Sequence, residues 1–143
     1  MEYLAIGVTA LIPMILGFIW YHPKTFGSAW MNSLGLTEDD LKGGNMGMIF
    51  GLAFVMALLI SYALSGYASH TEEGMNQFVH GMYHGFRPAM FFAVPVLVSN
   101  SLFQRNNLTN IIINALYWLI TITLMGGVIY AWIGSMAAPA AGG

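Results

Sequence analysis

Four stretches of predominantly apolar residues divide the chain, and each is long enough to cross a lipid bilayer as a helix. A helix of ~20 residues rises through the ~30 Å of hydrocarbon. The stretches lie at about residues 3–21, 46–67, 85–103 and 108–133, and a small uncharged tail follows at about residues 136–143. We therefore predict an all-α integral membrane fold, a bundle of four transmembrane helices that forms a single domain over residues 1–143.

The scarcity of charge excludes several classes of protein. Charged residues make up 7% of the chain, against ~25% in a typical soluble domain, and 57% of the residues are hydrophobic. Lysine and arginine total four, too few to form the basic surface that binds a phosphate backbone, so we predict no nucleic-acid partner. The chain has no cysteine, which excludes disulfides and thiolate metal sites. The expected partner is the lipid bilayer.

The polar segment between the first two spans predicts a short amphipathic helix that lies in the membrane interface. Pro23 ends the first span, because proline disfavours helical geometry in the residue before it. Phe26, Trp30 and Leu34 then recur at four-residue steps, which is typical of an amphipathic helix. Thr37 and the acidic run behind it predict an N-cap followed by a negatively charged first turn.

Basic residues indicate the orientation of the bundle. Lys24 and Lys42 lie in the first loop and Arg105 lies in the third, whereas both ends of the chain and the second loop carry no lysine or arginine. Cytoplasmic loops of membrane proteins carry the excess of basic residues. We therefore predict that both termini lie outside.

Small residues at four-residue steps predict where helices approach each other closely. Helices in lipid associate through such close backbone contacts and through polar contacts. The predicted packing residues of the second span and of the segment leading into the third are Gly47, Gly51, Ala57, Ser61, Gly81, Gly85 and Ala89. The pattern does not indicate which helix meets which.

Polar side chains within the spans have two interpretations. Asn110 and Asn114 share one face of the fourth span, where we favour an interhelical hydrogen bond. Pro95 is expected to kink the third span, and a cavity beside the kink is the best argument for transport. The residues of such a polar pathway or interface are Arg87, Ser99, Asn100, Asn110 and Asn114.

His80 and His84 lie four residues apart on one helix face, and Arg87 continues that face. Imidazoles at this spacing can share a divalent metal ion or relay protons, and the segment at residues 70–73 could supply a further ligand. Arg87 lies ~27 Å of helix from Arg105, so the two arginines bracket the third span and the histidines fall outside it. We favour a polar helix start at the membrane surface, with a helix contact or a metal or proton site as alternatives.

Several stretches together resemble a known family. They are GFIWYHPKTFGSAWM, GLTEDDLKGGNMG, HGMYHGF, AVPVLVSNSLF and NIIINALYWLITITLMGGVI, and their order and spacing are similar to those of the bacterial membrane family called domain of unknown function 1761. The resemblance implies a small four-span membrane protein, mostly found in bacteria. It implies no activity and no catalytic residues.

The favoured function is a non-catalytic membrane module that associates with itself or serves as an accessory subunit of a larger membrane complex. Carboxylates are confined to the tail and loops, and no Ser-His-Asp pattern or phosphate loop is present, so we lean against an enzyme. The alternative is a transporter or channel for ions or small solutes, with a polar mouth at His80, His84 and Arg87. We predict no cofactor other than the divalent metal that the two histidines could bind, and a multi-pass location in the inner cell membrane.

Overall fold

The computed structural model describes residues 1–68 and 74–137, and the described part of the chain is helical without any strand. The predicted tail beyond residue 137 and the predicted extra ligands at residues 70–73 lie outside the described residues. The helices are α1 (Glu2–Thr9), α2 (Ile12–Trp20), α3 (Ser28–Leu34), α4 (Glu38–Leu41), α5 (Met46–Tyr67), α6 (Gln77–Pro88), α7 (Val94–Phe103) and α8 (Leu108–Ala137). A kink at Pro23–Gly27, where Thr25 leaves helical geometry, lies between α2 and α3, and a π-helical turn, Ala89–Ala93, lies between α6 and α7.

Four of the described helical stretches are long and apolar enough to cross a membrane. They are Glu2–Trp20, Met46–Tyr67, Gln77–Phe103 and Leu108–Met136, and we call them the first to fourth candidate spans. The helix of the third candidate span begins at Gln77, ahead of the apolar stretch predicted from Gly85 onward. The physical reason is the cap: the Asn76 side chain accepts hydrogen bonds from the backbone N–H groups of Phe78 and Val79, which starts the helix before the apolar residues begin.

The long helix α8 forms the centre of the bundle. It contacts α1, α2, α3, α5, α6 and α7, so nearly every other element packs on it. The main buried cluster surrounds its second half and consists of Ile6, Leu64, Ala68, Ala89, Ile122, Met125, Ile129 and Tyr130. Residues from the first three spans thus meet on one face of the fourth.

Glycines bring α6 and α8 into direct backbone contact. A Cβ atom on Gly81 would overlap the carbonyl oxygen of Gly126 and the side chain of Tyr130. A Cβ atom on Gly85 would overlap the carbonyl oxygen of Ile122 and lie 3.0 Å from Thr123 Cα. The ridge predicted from the sequence therefore packs α6 on α8, and Gly126 is the partner that the sequence pattern did not identify.

The ridge predicted on α5 divides into two faces. Ala57 and Ser61 are buried, and the Ser61 hydroxyl donates to the backbone oxygen of Ile6 over 2.9 Å, which joins α5 to α1. Gly47 and Gly51 are exposed instead. Because each residue turns the helix by ~100°, positions ten residues apart, such as Gly47 and Ala57, differ by ~80° around the axis.

The third candidate span is irregular where a kink was predicted. The π-helical turn Ala89–Ala93 ends just before Val94 and Pro95. The proline ring has no N–H to donate and would clash with the carbonyl four residues earlier, in the preceding turn. The wider π turn absorbs this clash, so the helix continues to Phe103 without a break.

The segment between the first and second candidate spans packs on the bundle through α3. Met31 is buried and Trp30 half-buried on α3, which contacts α8. Gly35 ends this helix with a φ of +66°, a left-handed conformation that glycine adopts without strain. Thr37 then begins α4 with a capping box, in which its hydroxyl accepts from the Asp40 backbone and the Asp40 carboxylate accepts from the Thr37 backbone.

Candidate functional site

The two histidines of α6 point their ring nitrogens at each other. The Nε2 atoms of His80 and His84 are 2.9 Å apart, a hydrogen-bond distance, and both side chains are half-buried. A four-residue spacing places both rings on one helix face, one turn apart. The pair therefore lies within a continuous helix that packs on α8 and begins one turn before His80, at Gln77.

The pair packs against an aromatic residue of α8 that is anchored to the backbone of α5. The Tyr130 ring of α8 stacks on His84 with 5.0 Å between ring centroids and 12° between ring planes, and its centroid lies 5.6 Å from that of His80. The Tyr130 hydroxyl donates to the backbone oxygen of Tyr67 over 2.6 Å. The cluster of His80, His84, Tyr130 and Tyr67, which we call the histidine cluster, thus links α5, α6 and α8.

The buried nitrogen of His80 determines which ring donates the shared proton. His80 Nδ1 is buried and has no hydrogen-bond partner among the described residues. A buried N–H without an acceptor is costly, whereas a bare lone pair costs less. His80 therefore carries its proton on Nε2 and donates it to Nε2 of His84, because the opposite arrangement would place the proton on the unpaired Nδ1.

Arg87 is not part of the histidine cluster. Its side chain is exposed, and its guanidinium carbon lies 5.6 Å from the centre of the Tyr83 ring, within the range of a cation–π contact. Within the described residues, no group of three or more His, Cys, Asp and Glu side chains is arranged to hold a metal ion. The two histidines are thus a pair in this part of the chain.

A second polar cluster joins the end of α2 to the start of α8. The Tyr21 hydroxyl donates to Asn114 Oδ1 over 2.6 Å, and Asn114 Nδ2 donates to Asn110 Oδ1 over 3.1 Å. Trp20 Nε1 donates to the backbone oxygen of Ile113 over 3.2 Å.

Tyr117 extends this second cluster into the first candidate span. Its hydroxyl donates to the backbone oxygen of Pro13 over 2.6 Å. Gly17 makes room for it, because a Cβ atom there would lie 3.2 Å from the same hydroxyl oxygen. We call Trp20, Tyr21, Asn110, Asn114 and Tyr117 the tyrosine–asparagine cluster. The adjacent residues Trp20 and Tyr21 belong to the stretch GFIWYHPKTFGSAWM, and their partners lie 93 residues away in the sequence.

The polar residues predicted to line a pathway lie in different environments. Asn110 and Asn114 belong to the tyrosine–asparagine cluster, whereas Ser99 and Asn100 are exposed on α7 and Arg87 is exposed on α6. A groove of about 250 Å³ between α6 and α8 is apolar apart from Thr123. Its other lining residues are Met82, Phe86, Leu119, Ile120 and Leu124.

A comparison with known families identifies the chain. The family model described as "Protein of unknown function (DUF1761)" matches residues 4–130, so the chain belongs to this family and the resemblance predicted from the sequence is confirmed. No curated protein and no solved structure matches the chain. The matched residues contain both the histidine cluster and the tyrosine–asparagine cluster.

Proposed function

We propose that this member of the DUF1761 family is a multi-pass inner-membrane protein that acts as a non-catalytic module and associates with a second copy of itself. In a second form of the proposal, the same module is an accessory subunit of a larger membrane complex. The observation that carries it is the first half of α5, which presents Gly47 and Gly51 on an exposed face.

The outer surface of the bundle supports the membrane location. Large apolar side chains on it are highly exposed, including Phe18 at 78%, Phe92 at 74% and Leu59 at 58%. In water each such side chain would cost roughly 1.5–3 kcal/mol relative to burial, whereas lipid tails solvate it without that cost. An apolar surface of this extent is typical of a protein surrounded by lipid.

The exposed face of α5 has the composition of a helix–helix interface. A Cβ atom on Gly51 would meet nothing within 4 Å, so the backbone is open to a neighbour at this point. Met48, Leu52 and Val55 beside it are exposed as well. In lipid, small residues permit the close backbone approach that holds helices together, as Gly81, Gly85 and Gly126 do between α6 and α8.

The polar residues support a structural rather than a catalytic role. Asn110 and Asn114 are hydrogen-bonded within the tyrosine–asparagine cluster, and Ser61 is bonded to α1. These bonds stabilise contacts between candidate spans. A transport pathway would need these polar groups to be available to a solute, whereas here they are hydrogen-bonded within the protein.

Association of labelled protein in lipid vesicles tests the proposal. Energy transfer between donor-labelled and acceptor-labelled copies measures self-association as a function of the protein-to-lipid ratio. We expect Gly51→Leu to weaken association at least tenfold, because the side chain blocks backbone approach. Gly7→Leu is the matched control, since a Cβ atom on Gly7 also meets nothing within 4 Å.

Two results would contradict self-association. One is a wild-type protein that remains monomeric at every protein-to-lipid ratio. The other is a loss of association that is equal in both glycine variants. If the wild type is monomeric and a second protein is purified with it in a fixed ratio in mild detergent, the accessory-subunit form of the proposal is supported instead.

A further inference from the structure

The geometry points to a metal site: we propose that Nε2 of His80 and Nε2 of His84 bind one divalent late transition metal ion, with the cis arrangement that Cu(II) and Ni(II) prefer. Neither the family nor the proposed module function assigns a ligand to these residues. The proposal does not depend on the α5 interface, so either can fail alone.

The distance between the two nitrogens fits a metal ion. Metal–imidazole bonds are ~2.0–2.1 Å long, so two nitrogens 2.9 Å apart subtend about 90° at an ion bound to both. An angle of 90° separates cis ligands in square-planar and octahedral complexes, which Cu(II) and Ni(II) form with nitrogen donors. Because the two Nε2 atoms face each other in the hydrogen bond, both rings must turn for their lone pairs to converge on one ion. A tetrahedral Zn(II) complex also needs the nitrogens farther apart, at about 3.3 Å.

The surrounding residues restrain the helix turn that carries both rings before any ion arrives. Gly81, between the two histidines, packs directly on the backbone of α8, so α6 cannot turn without losing this contact. Tyr130 stacks on His84 and is itself fixed by the hydrogen bond to Tyr67. A pair restrained by packing and by such supporting hydrogen bonds needs only ring rotation, and no movement of the helix, to bind an ion.

Binding moves the shared proton to the other nitrogen of His80 and puts the ion between the two rings. In the free protein His80 donates its Nε2 proton to His84. Ligation requires a lone pair on both Nε2 atoms, so the His80 proton moves to Nδ1. Because that atom is buried without a partner among the described residues, ligation leaves one N–H unpaired. We therefore expect a Kd of roughly micromolar rather than the far tighter binding of closed structural sites.

Metal titration of the full chain in detergent, purified through a tag that contains no histidine, tests the site. We expect one equivalent of Cu(II) by calorimetry, and at least tenfold weaker binding in both His80→Gln and His84→Gln. His22→Asn is the matched control, because asparagine keeps an acceptor for the hydrogen bond that His22 Nδ1 accepts from the Lys24 backbone. This control should bind Cu(II) as the wild type does. Ni(II) and Zn(II) titrations should give weaker binding than Cu(II).

Electron paramagnetic resonance of the Cu(II)-loaded wild type provides a test that needs no variant to fold. We expect hyperfine splitting from two equivalent imidazole nitrogens. The proposal is overturned if the wild type binds no Cu(II), if the spectrum shows fewer than two nitrogens, or if correctly folded His80→Gln and His84→Gln proteins bind as tightly as the wild type. Each of these results would leave the pair as a hydrogen bond between helix turns.

Discussion

Tyr21 donates a 2.6 Å hydrogen bond to Oδ1 of Asn114, across 93 residues of sequence. The bond joins the end of the first candidate span to the first turns of the fourth, and Asn114 in turn donates a hydrogen bond to Asn110. Trp20 makes a parallel bond to the backbone of Ile113. The adjacent residues Trp20 and Tyr21 therefore determine how the first candidate span ends against α8.

Loss of the Tyr21 hydroxyl is expected to destabilise the bundle. Tyr21→Phe keeps the ring but removes the donor, which leaves the half-buried Asn114 oxygen unpaired. We expect the free energy of unfolding to fall by about 1 kcal/mol, as for other hydrogen bonds between membrane helices. The measurement is reversible unfolding in mixed micelles, with Tyr3→Phe as control because Tyr3 is 84% exposed. Equal effects of the two substitutions would show that this hydrogen bond contributes nothing.

A methyl group at the contact between α6 and α8 is expected to separate the two helices. In Gly85→Ala the added carbon overlaps the backbone of Ile122, which cannot rotate away as a side chain would. Overpacking of this kind costs about 1–3 kcal/mol, and we expect a lower free energy of unfolding by at least that amount. Gly7→Ala should not destabilise, because its Cβ atom meets nothing and alanine favours the helix. The prediction fails if both variants unfold alike.

The capping box of α4 is expected to respond to acid. Hydrogen bonds from the Thr37 side chain and backbone hold the pKa of the Asp40 carboxyl below its ordinary value. Because the pKa is lower in the folded than in the unfolded state, the carboxylate stabilises α4 at pH values above the ordinary carboxyl pKa. That contribution is lost as the pH falls through the lowered pKa.

Carboxyl chemical shifts measured by NMR as a function of pH test this response. We expect Thr37→Val, which keeps the backbone donor, to move the Asp40 pKa partway back toward its ordinary value. Glu38 on the same turn serves as the internal reference within each sample. An Asp40 titration that is identical in the wild type and the variant would refute a role for the Thr37 hydroxyl.

The backbone conformation of Arg105 is expected to be strained at the end of α7. It has a φ of +58°, and the N–H of the next residue, Asn106, donates to the Ser101 oxygen over 2.9 Å, which closes the helix. A left-handed conformation costs a residue with a side chain about 1–2 kcal/mol, a cost that glycine avoids. We expect Arg105→Gly to raise the free energy of unfolding by about 1 kcal/mol.

Arg105→Ala separates the backbone effect from the loss of charge. Alanine removes the guanidinium but keeps the Cβ atom, so it should retain the strain. Thermal unfolding of both variants in the same detergent provides the comparison. If alanine stabilises as much as glycine, the effect comes from the charge and the explanation by backbone strain is wrong.

The sequence by itself determined the elements that depend on local properties. Length and apolar content identify four span-length helices, and α5 lies at its predicted bounds because both of its ends coincide with polar residues. The four-residue steps of Gly81, Gly85 and Ala89 likewise predict a packing ridge from one helix alone. These signals lie within a single helix, so they can be read without knowing any neighbour.

Only the tertiary structure decided which faces meet. The partner of Gly81 is Gly126, the partner of Tyr21 is Asn114, and Gly47 faces away from the bundle. The structure also places the start of the helix that carries the third span, which a side-chain cap at Asn76 begins ahead of the apolar residues. His80 and His84 lie in this helix and are paired through Nε2, and the Tyr130 ring stacks on His84. Such contacts join residues far apart in the chain, and their identity depends on the rotation and depth of each helix, which periodicity within one helix does not specify.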